Sequence, residues 1–370
     1  MAHIATALRL AESALWITSP NPRVGCVLVN PQGQVIGQGS TQRAGGPHAE
    51  VVALRDAQAQ GHSTQGATAY VTLEPCSHQG RTGPCCDALI SAGICNVVAS
   101  LQDPNPRVAG QGFARLRGAG IGVTVGPGAA QSRELNLGFF SRMVRQTPWV
   151  RVKAAASLDG VTALPNGQSQ WITGPLARAD GHAWRARACA VLTGIGTVMQ
   201  DNPRLDVRAV DTPRQPTLVV VDSDLQTQPD AALFDPARPV LIYAANRHAQ
   251  REAALQARGA TVVYLPDAPT SPHARSKVDL RSMLRDLAAR EVNELHVEAG
   301  HKLNGSLLRA GLVDEMLVYL APKWLGAGAG MSNFGPLAQL ADGMALQFRS
   351  VDRVGEDLRL LARVAERDNF

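Results

Sequence analysis

The chain has 370 residues, 45% of them hydrophobic, 18% charged and 4% aromatic, with a formal net charge of +5. This length exceeds one ordinary core and predicts two domains, and the composition excludes an extensively disordered chain. The mild positive charge suits an anionic small molecule; with no Lys/Arg run and no basic–aromatic interleaving it argues against a nucleic-acid groove.

Residues 2–16 have helical spacing with Arg9 and Glu12 inside it, which reads as a helix rather than a signal peptide. Pro20-Asn21-Pro22 ends it. Residues 24–29 and 35–37 read as a strand pair around Pro31-Gln32-Gly33, 49–60 as a helix and 67–73 as a strand running into Glu74-Pro75-Cys76. A helix over 86–92, a strand over 96–101, and segments 109–119, 123–125 and 130–145 complete a sheet layered with helices. Gln146-Thr147-Pro148 is the predicted boundary, giving domains 1–146 and 147–370. Strands then recur at 149–156, 190–193, 217–222, 240–245, 261–265, 294–298 and 315–320, with helices at 176–189, 249–258, 279–290 and 302–310. That alternation predicts a second open α/β sheet, mostly parallel. No uncharged apolar run reaches the ~20 residues that a membrane span needs.

Six cysteines stand at 26, 76, 85, 86, 95 and 189. Their crowding in the first third predicts a metal site in a reducing cytoplasm rather than a disulfide framework. His48, Cys76 and one of Cys85 and Cys86 form the three-ligand set of a catalytic zinc, whose fourth position is left to water. Glu50, two residues from His48, is the base for that water, and both must sit at a helix start to face one point. This His-x-Glu…Pro-Cys order is that of zinc deaminases of nucleobases. Here eight residues separate Cys76 from Cys85, where the short form has two. Cys26 and Cys95 read as apolar packing. In the second region, Ser157-Leu158-Asp159-Gly160, Gly194-Ile195-Gly196 and Glu298-Ala299-Gly300 fall at strand ends, where ligands gather in open α/β sheets. Lys153, Arg185, Arg187 and Arg208 are candidates for a sugar phosphate.

Thr18 to Gly25, Pro47-His48-Ala49-Glu50, Glu74 through Cys86 with its Ser77-His78 and Gly80-Arg81-Thr82 insert, and Asp103-Pro104-Asn105-Pro106 resemble the bifunctional riboflavin-biosynthesis deaminase–reductases. So do Lys153…Gly160, Ser169 to Thr173, Gly194…Asp201-Asn202-Pro203 and Glu298-Ala299-Gly300, so that the resemblance covers nearly the whole chain. It implies a cytidine-deaminase-like α/β/α domain followed by a dihydrofolate-reductase-like α/β domain using NADPH, and favours Cys85 as the third ligand. The implied activity is hydrolytic deamination of a diaminopyrimidinone carrying ribosylamino 5-phosphate, then reduction of the ribosyl group to ribityl. Position by position, it puts Asn21 and His78 at the pyrimidine, and the place of His78 and Arg81 in a loop between two ligands predicts a substrate role for both. Ala155, Trp171, Thr197, Asp201, Ser223 and the 300–306 loop (Gly300, His301, Lys302, Leu303, Asn304, Gly305, Ser306) fall at the cofactor. Ser169, Arg185, Leu205, Arg208 and Glu298 fall at the substrate, with Lys153 and Asp201 polarising or protonating the sugar. Residues 224–292 match poorly and are expected to be variable surface. A cytoplasmic homo-oligomer, dimer or tetramer, with a small phosphorylated pyrimidine as its partner and no nucleic acid or membrane, is expected. The rivals are a tRNA-adenosine-type deaminase with an appended binding domain, and a degenerate scaffold lacking ligands.

Overall fold

The computed structural model describes residues 2–79, 83–106, 108–268 and 275–370. The candidate Arg81, with Gly80 and Thr82, lies outside the described residues. The chain divides into two compact units, Met1–Gln146 with Phe370, and Thr147–Asn369. No helix among the described residues is long and apolar enough to cross a membrane.

The first unit runs α1 (Ala2–Ser13), β1 (Gly25–Val29), β2 (Val35–Ser40), α2 (Ala49–Ala59), β3 (Thr68–Val71), α3 (Cys85–Ser91), β4 (Asn96–Ala99), α4 (Gln111–Gly118), β5 (Gly122–Val125), α5 (Ala129–Leu135) and α6 (Leu137–Arg145). Its sheet has the order β2-β1-β3-β4-β5, antiparallel on either side of β1 and parallel from β3 to β5. Glycines let helices sit against backbone: a Cβ on Gly25 would lie 1.9 Å from the Ala7 carbonyl of α1, and one on Gly37 or Gly39 would lie 2.3 or 2.5 Å from carbonyls of α2. The helix expected over 130–145 is two helices. Buried Asn136 breaks it, accepting from the Arg23 N–H at 2.8 Å and donating to the Arg23 carbonyl at 2.9 Å. Cys26 is core as expected, whereas Cys95, at the entry to β4, is exposed.

The second unit runs β6 (Trp149–Ser157), β7 (Val161–Ala163), α7 (Pro175–Arg187), β8 (Ala190–Gly194), α8 (Ile195–Asp201), β9 (Thr217–Val221), β10 (Val240–Ala244), α9 (Ala249–Ala257), β11 (Ala260–Tyr264), α10 (Leu280–Ala289), β12 (Glu294–Val297), α11 (His301–Arg309), β13 (Glu315–Ala321), β14 (Ala329–Gly330), β15 (Leu346–Val354) and β16 (Asp357–Val364). Nine strands form one sheet in the order β11-β10-β9-β8-β12-β6-β13-β16-β15. It is parallel from β11 to β13, as the alternation predicts. The hairpin β15–β16 adds two antiparallel strands that the sequence reading does not contain. Its signals are the alternating Asp357-Leu358-Arg359-Leu360 and the turn at Gly355, φ 66°. The expectation of variable surface over 224–292 fails at β10. That strand lies between β9 and β11 and is wholly buried, because an interior parallel strand is covered on both faces.

A charged layer is sealed into this sheet. His296, Arg151, Glu315 and Arg363 stand opposite one another on adjacent strands β12, β6, β13 and β16. Arg151 pairs with Glu315 at 2.6 Å and Glu294 at 3.1 Å, and Arg363 pairs with Glu315 at 2.9 Å. Removing one member of such a network leaves buried charge uncompensated. Glu315→Ala is therefore expected to destabilise this unit by ~3–5 kcal/mol. Urea unfolding would measure it, and an unchanged midpoint would show that the layer contributes nothing.

Candidate active sites

The first site gathers at the start of α2 and the start of α3. His48 is the N-cap of α2 with extended backbone (φ −75°, ψ 165°), and Glu50 follows in the first turn. Cys85 is the first residue of α3, and its N–H donates to the Cys76 sulfur at 3.3 Å. His48 Nδ1 lies 3.3 Å from Cys85 Sγ and 3.7 Å from Cys76 Sγ, and the three donor atoms fall within 4.8 Å of one another. A tetrahedral zinc with ~2.3 Å bonds to sulfur and ~2.0 Å to nitrogen holds its ligands roughly 3.5–3.8 Å apart, so this donor set fits it. Cys86 turns away, its thiol directed at the Pro75 and Gly112 carbonyls, and belongs to the core.

The electrostatics are those of one thiolate, Cys76, beside a protonated thiol and a sequestered acid. The hydrogen bond from Cys85 pulls Cys76 down to about 4, while the same bond and burial push Cys85 up. Glu50 is 4% exposed, and burial, then the Cys76 charge, raises it to about 7. Asn21 is half-buried in the loop that Arg23 ties to the Leu15 and Leu135 carbonyls, and His78 is exposed after Cys76. The sequence reading gives no role of its own to Glu74. Its carboxylate accepts from the N–H groups of Asp103, Gly110 and Phe113 at 3.1, 2.9 and 3.1 Å, fastening that distant segment to the strand end that carries Cys76.

The second site is a cavity of about 980 Å³ at the carboxyl ends of the adjacent strands β8, β12 and β6, where open α/β sheets bind ligands. Of the candidates, Lys153, Ala155, Ser169, Trp171, Arg185, Thr197, Asp201, Leu205, Arg208 and Glu298 all line it, with Gly300, His301 and Asn304. Ser223, Lys302, Leu303, Gly305 and Ser306 do not. The expected 300–306 loop is the N-cap and first turns of α11. Leu303 packs on Gly194, and a Cβ on Gly305 would meet the Asn333 carbonyl at 2.2 Å, so these two serve packing. Arg187 instead joins the charged layer through Glu294 at 2.8 Å. Asp159 accepts from the N–H groups of Leu325 and Gly326 and so anchors a loop.

Glu298 is the electrostatic centre of the cavity. Arg185 grips both its oxygens, Nη2 at 2.8 Å, while Lys153 Nζ lies at 3.7 Å and His296 Nε2 at 3.4 Å. Although burial opposes it, the charge of Arg185 holds Glu298 well below the usual carboxylate range. Burial lowers Lys153 despite Glu298, and burial raises Asp201.

Residues 1–101 match the family model of the cytidine and deoxycytidylate deaminase zinc-binding region, and residues 148–360 match that of the RibD C-terminal domain. Fold and sites thus define a zinc-dependent deaminase joined on one chain to an NADPH-using reductase. The chain belongs to the RibD family of riboflavin biosynthesis proteins. The Escherichia coli K12 member is 43% identical over 371 residues, 97% of each chain, and the Haemophilus influenzae member 42% over 367 residues, 96% of this chain and 94% of that one. Among solved structures, RibD of Acinetobacter baumannii superposes with TM-score 0.87 at 38% identity, covering 99% of this chain and 98% of that one. A diaminohydroxyphosphoribosylaminopyrimidine deaminase/5-amino-6-(5-phosphoribosylamino)uracil reductase from Thermotoga maritima gives 0.85 at 30% identity over 98% of both. The full-length RibD similarity favours this family over the tRNA-deaminase rival, and the scaffold rival is met by a donor set that is present in full.

The donor geometry predicts that Cys76→Ala loses zinc, measured as metal per chain by atomic emission, while NADPH binding persists. Retention of a full equivalent of zinc would remove Cys76 from the ligand set.

Proposed function

We propose that residues 1–146 hydrolyse the amino group of 2,5-diamino-6-(5-phosphoribosylamino)pyrimidin-4-one and that residues 147–370 reduce the ribosyl group of the product to ribityl. What supports this reading is the pairing, on one chain, of a full zinc donor set and a charged cavity with end-to-end similarity to the Thermotoga maritima protein named for both activities.

In the first reaction His48, Cys76 and Cys85 hold the zinc. When bound, the metal acidifies a water towards neutral pH. Glu50, dry beside the thiolates, accepts a proton on its carboxylate and passes it to the departing amino nitrogen. Its raised pKa suits both halves of that transfer. Asn21 and His78 bind the pyrimidine.

In the second reaction NADPH supplies the hydride that C1′ of the ribosylamino group receives. Cleavage of the C1′ bond to the ring oxygen leaves that oxygen needing a proton, which Lys153 or Asp201 donates. Glu298 sets the stage by holding Lys153 and Arg185 in place. Ser169, Arg185, Leu205 and Arg208 bind the substrate, and Arg208 meets its phosphate. Ala155, Trp171, Thr197, Asp201 and the start of α11 bind the cofactor; the bare backbone N–H groups after Gly300 suit its phosphates. Ser223, outside the cavity lining, remains a cofactor assignment by family position. We further propose a cytoplasmic homo-oligomer acting on small molecules without nucleic acid. Six free cysteines support a reducing compartment, and the exposed Leu346, Phe348 and Val351 of edge strand β15 support self-association.

A coupled assay on the diaminopyrimidine phosphate, following ammonia and NADPH separately, tests the pair of reactions. Glu50→Gln should keep its zinc and lose ammonia release by roughly 100-fold or more, the scale of general acid–base catalysis, while NADPH oxidation on the deaminated substrate continues. Unchanged ammonia release would take Glu50 out of the mechanism. Lys153→Met should cut kcat of the reductive step with little change in ammonia release. Equal loss of both would contradict separate sites.

A further inference from the structure

Arg204, Leu205 and Arg208 line the reductase cavity from a stretch that is neither helix nor strand. Side chains from four places hold its backbone. Arg238 donates to the Leu205 carbonyl at 2.5 Å and to that of Arg204. Arg185 donates to the Asp206 carbonyl at 2.9 Å, and Gln215 bonds both the N–H and the carbonyl of Val207 at 2.8 Å. His182 Nδ1 accepts the Arg208 N–H at 3.3 Å. Leu205 sits at φ 51°, a left-handed conformation that a non-glycine residue keeps only when its surroundings enforce it.

Of these four anchors, Arg185 and His182 also line the cavity, and Arg185 is already committed to Glu298. His182 stands one turn before Arg185 on α7 and is 7% exposed. An imidazole nitrogen that accepts a hydrogen bond carries no proton, so the ring proton is on Nε2. Among the described residues no protein group takes that proton. Burial, then the charges of Arg185 and Arg208, pushes the imidazole down to about 4, so it is uncharged at neutral pH. An uncharged donor beside Arg208 adds direction to an anion site without burying another cation.

We propose that His182 is a binding and positioning residue of the reductase, its Nδ1 fixing the Arg208 backbone and its Nε2–H donating to a phosphate oxygen of the substrate. The inference rests on the reading that Arg208 meets that phosphate. Steady-state kinetics of the reductive step on the deaminated substrate test it with four variants. The Asn side-chain oxygen reaches the place of Nδ1 but nothing in it reaches Nε2, whereas the Gln amide nitrogen does reach Nε2. A hydrogen bond to a charged group, once lost, costs roughly tenfold to hundredfold in affinity. His182→Asn should therefore raise KM for the substrate by about tenfold and His182→Leu by more, with kcat within about threefold and KM for NADPH unchanged. His182→Gln should recover much of the loss. If His182→Leu does not fold, the Asn and Gln variants carry the comparison alone. Wild-type KM in His182→Asn would remove the donor role. A parallel rise in KM for NADPH would overturn the proposal in favour of a purely structural one. If Arg208→Met itself keeps wild-type KM, the fault lies in the phosphate reading; if Arg208→Met loses affinity and the His182 variants do not, it lies with His182.

Discussion

A charge taken out of water needs a counter-charge, a proton or a metal, and both sites are arranged around that need. At the end of β12, Glu298 keeps its charge because Arg185 grips both oxygens and Lys153 and His296 stand close by. In return its presence keeps Lys153, which burial drives towards neutrality, near a partner that favours the ammonium. The first unit solves the same problem differently. Its two thiols and histidine converge as a donor set beside the buried glutamate, and the zinc of its family is the charge they are built to receive.

Backbone immobilised by buried side chains is the second shared device. Glu74 binds the N–H groups of Asp103, Gly110 and Phe113 to the strand end bearing Cys76. Arg238, Gln215, Arg185 and His182 do the equivalent for Arg204–Arg208. Loops fixed in this way present functional groups in one geometry before a ligand arrives, so less binding energy is lost to ordering.

The zinc site was legible because its chemistry is local. His48 and Glu50 share one turn, so residue type and interval named His48, Cys76 and Glu50, while the choice of Cys85 over Cys86 came from the family resemblance and the direction of the Cys86 thiol from the structure. The reductase cavity was legible mainly through family resemblance. Its members come from strand ends far apart in the chain, and no interval encodes that β12 lies between β8 and β6. The same cause hid Arg238 and Gln215, which read as isolated polar residues until the fold brings them to Arg204–Arg208. Segment 224–292 was expected to be variable surface because it matches the family poorly, yet the apolar run that predicts a strand at 240–245 is β10, buried by its place between β9 and β11. The hairpin β15–β16 was missed, although the alternation at 357–360 and the turn at Gly355 are signals that could have found it.

Gly37 and Gly39 lie on β2, the edge strand of the first sheet, and carry no chemistry, yet α2 rests directly on their bare backbone. His48 and Glu50 ride at the tip of that helix. The distance between imidazole and thiolates is therefore gauged by the thickness of a missing methyl group on the sheet's margin. A side chain there would act as a shim, lifting the helix and detuning the metal pocket while leaving every ligand in the sequence. Inventories of site residues pass over such positions, although the pocket's calibration is stored in them.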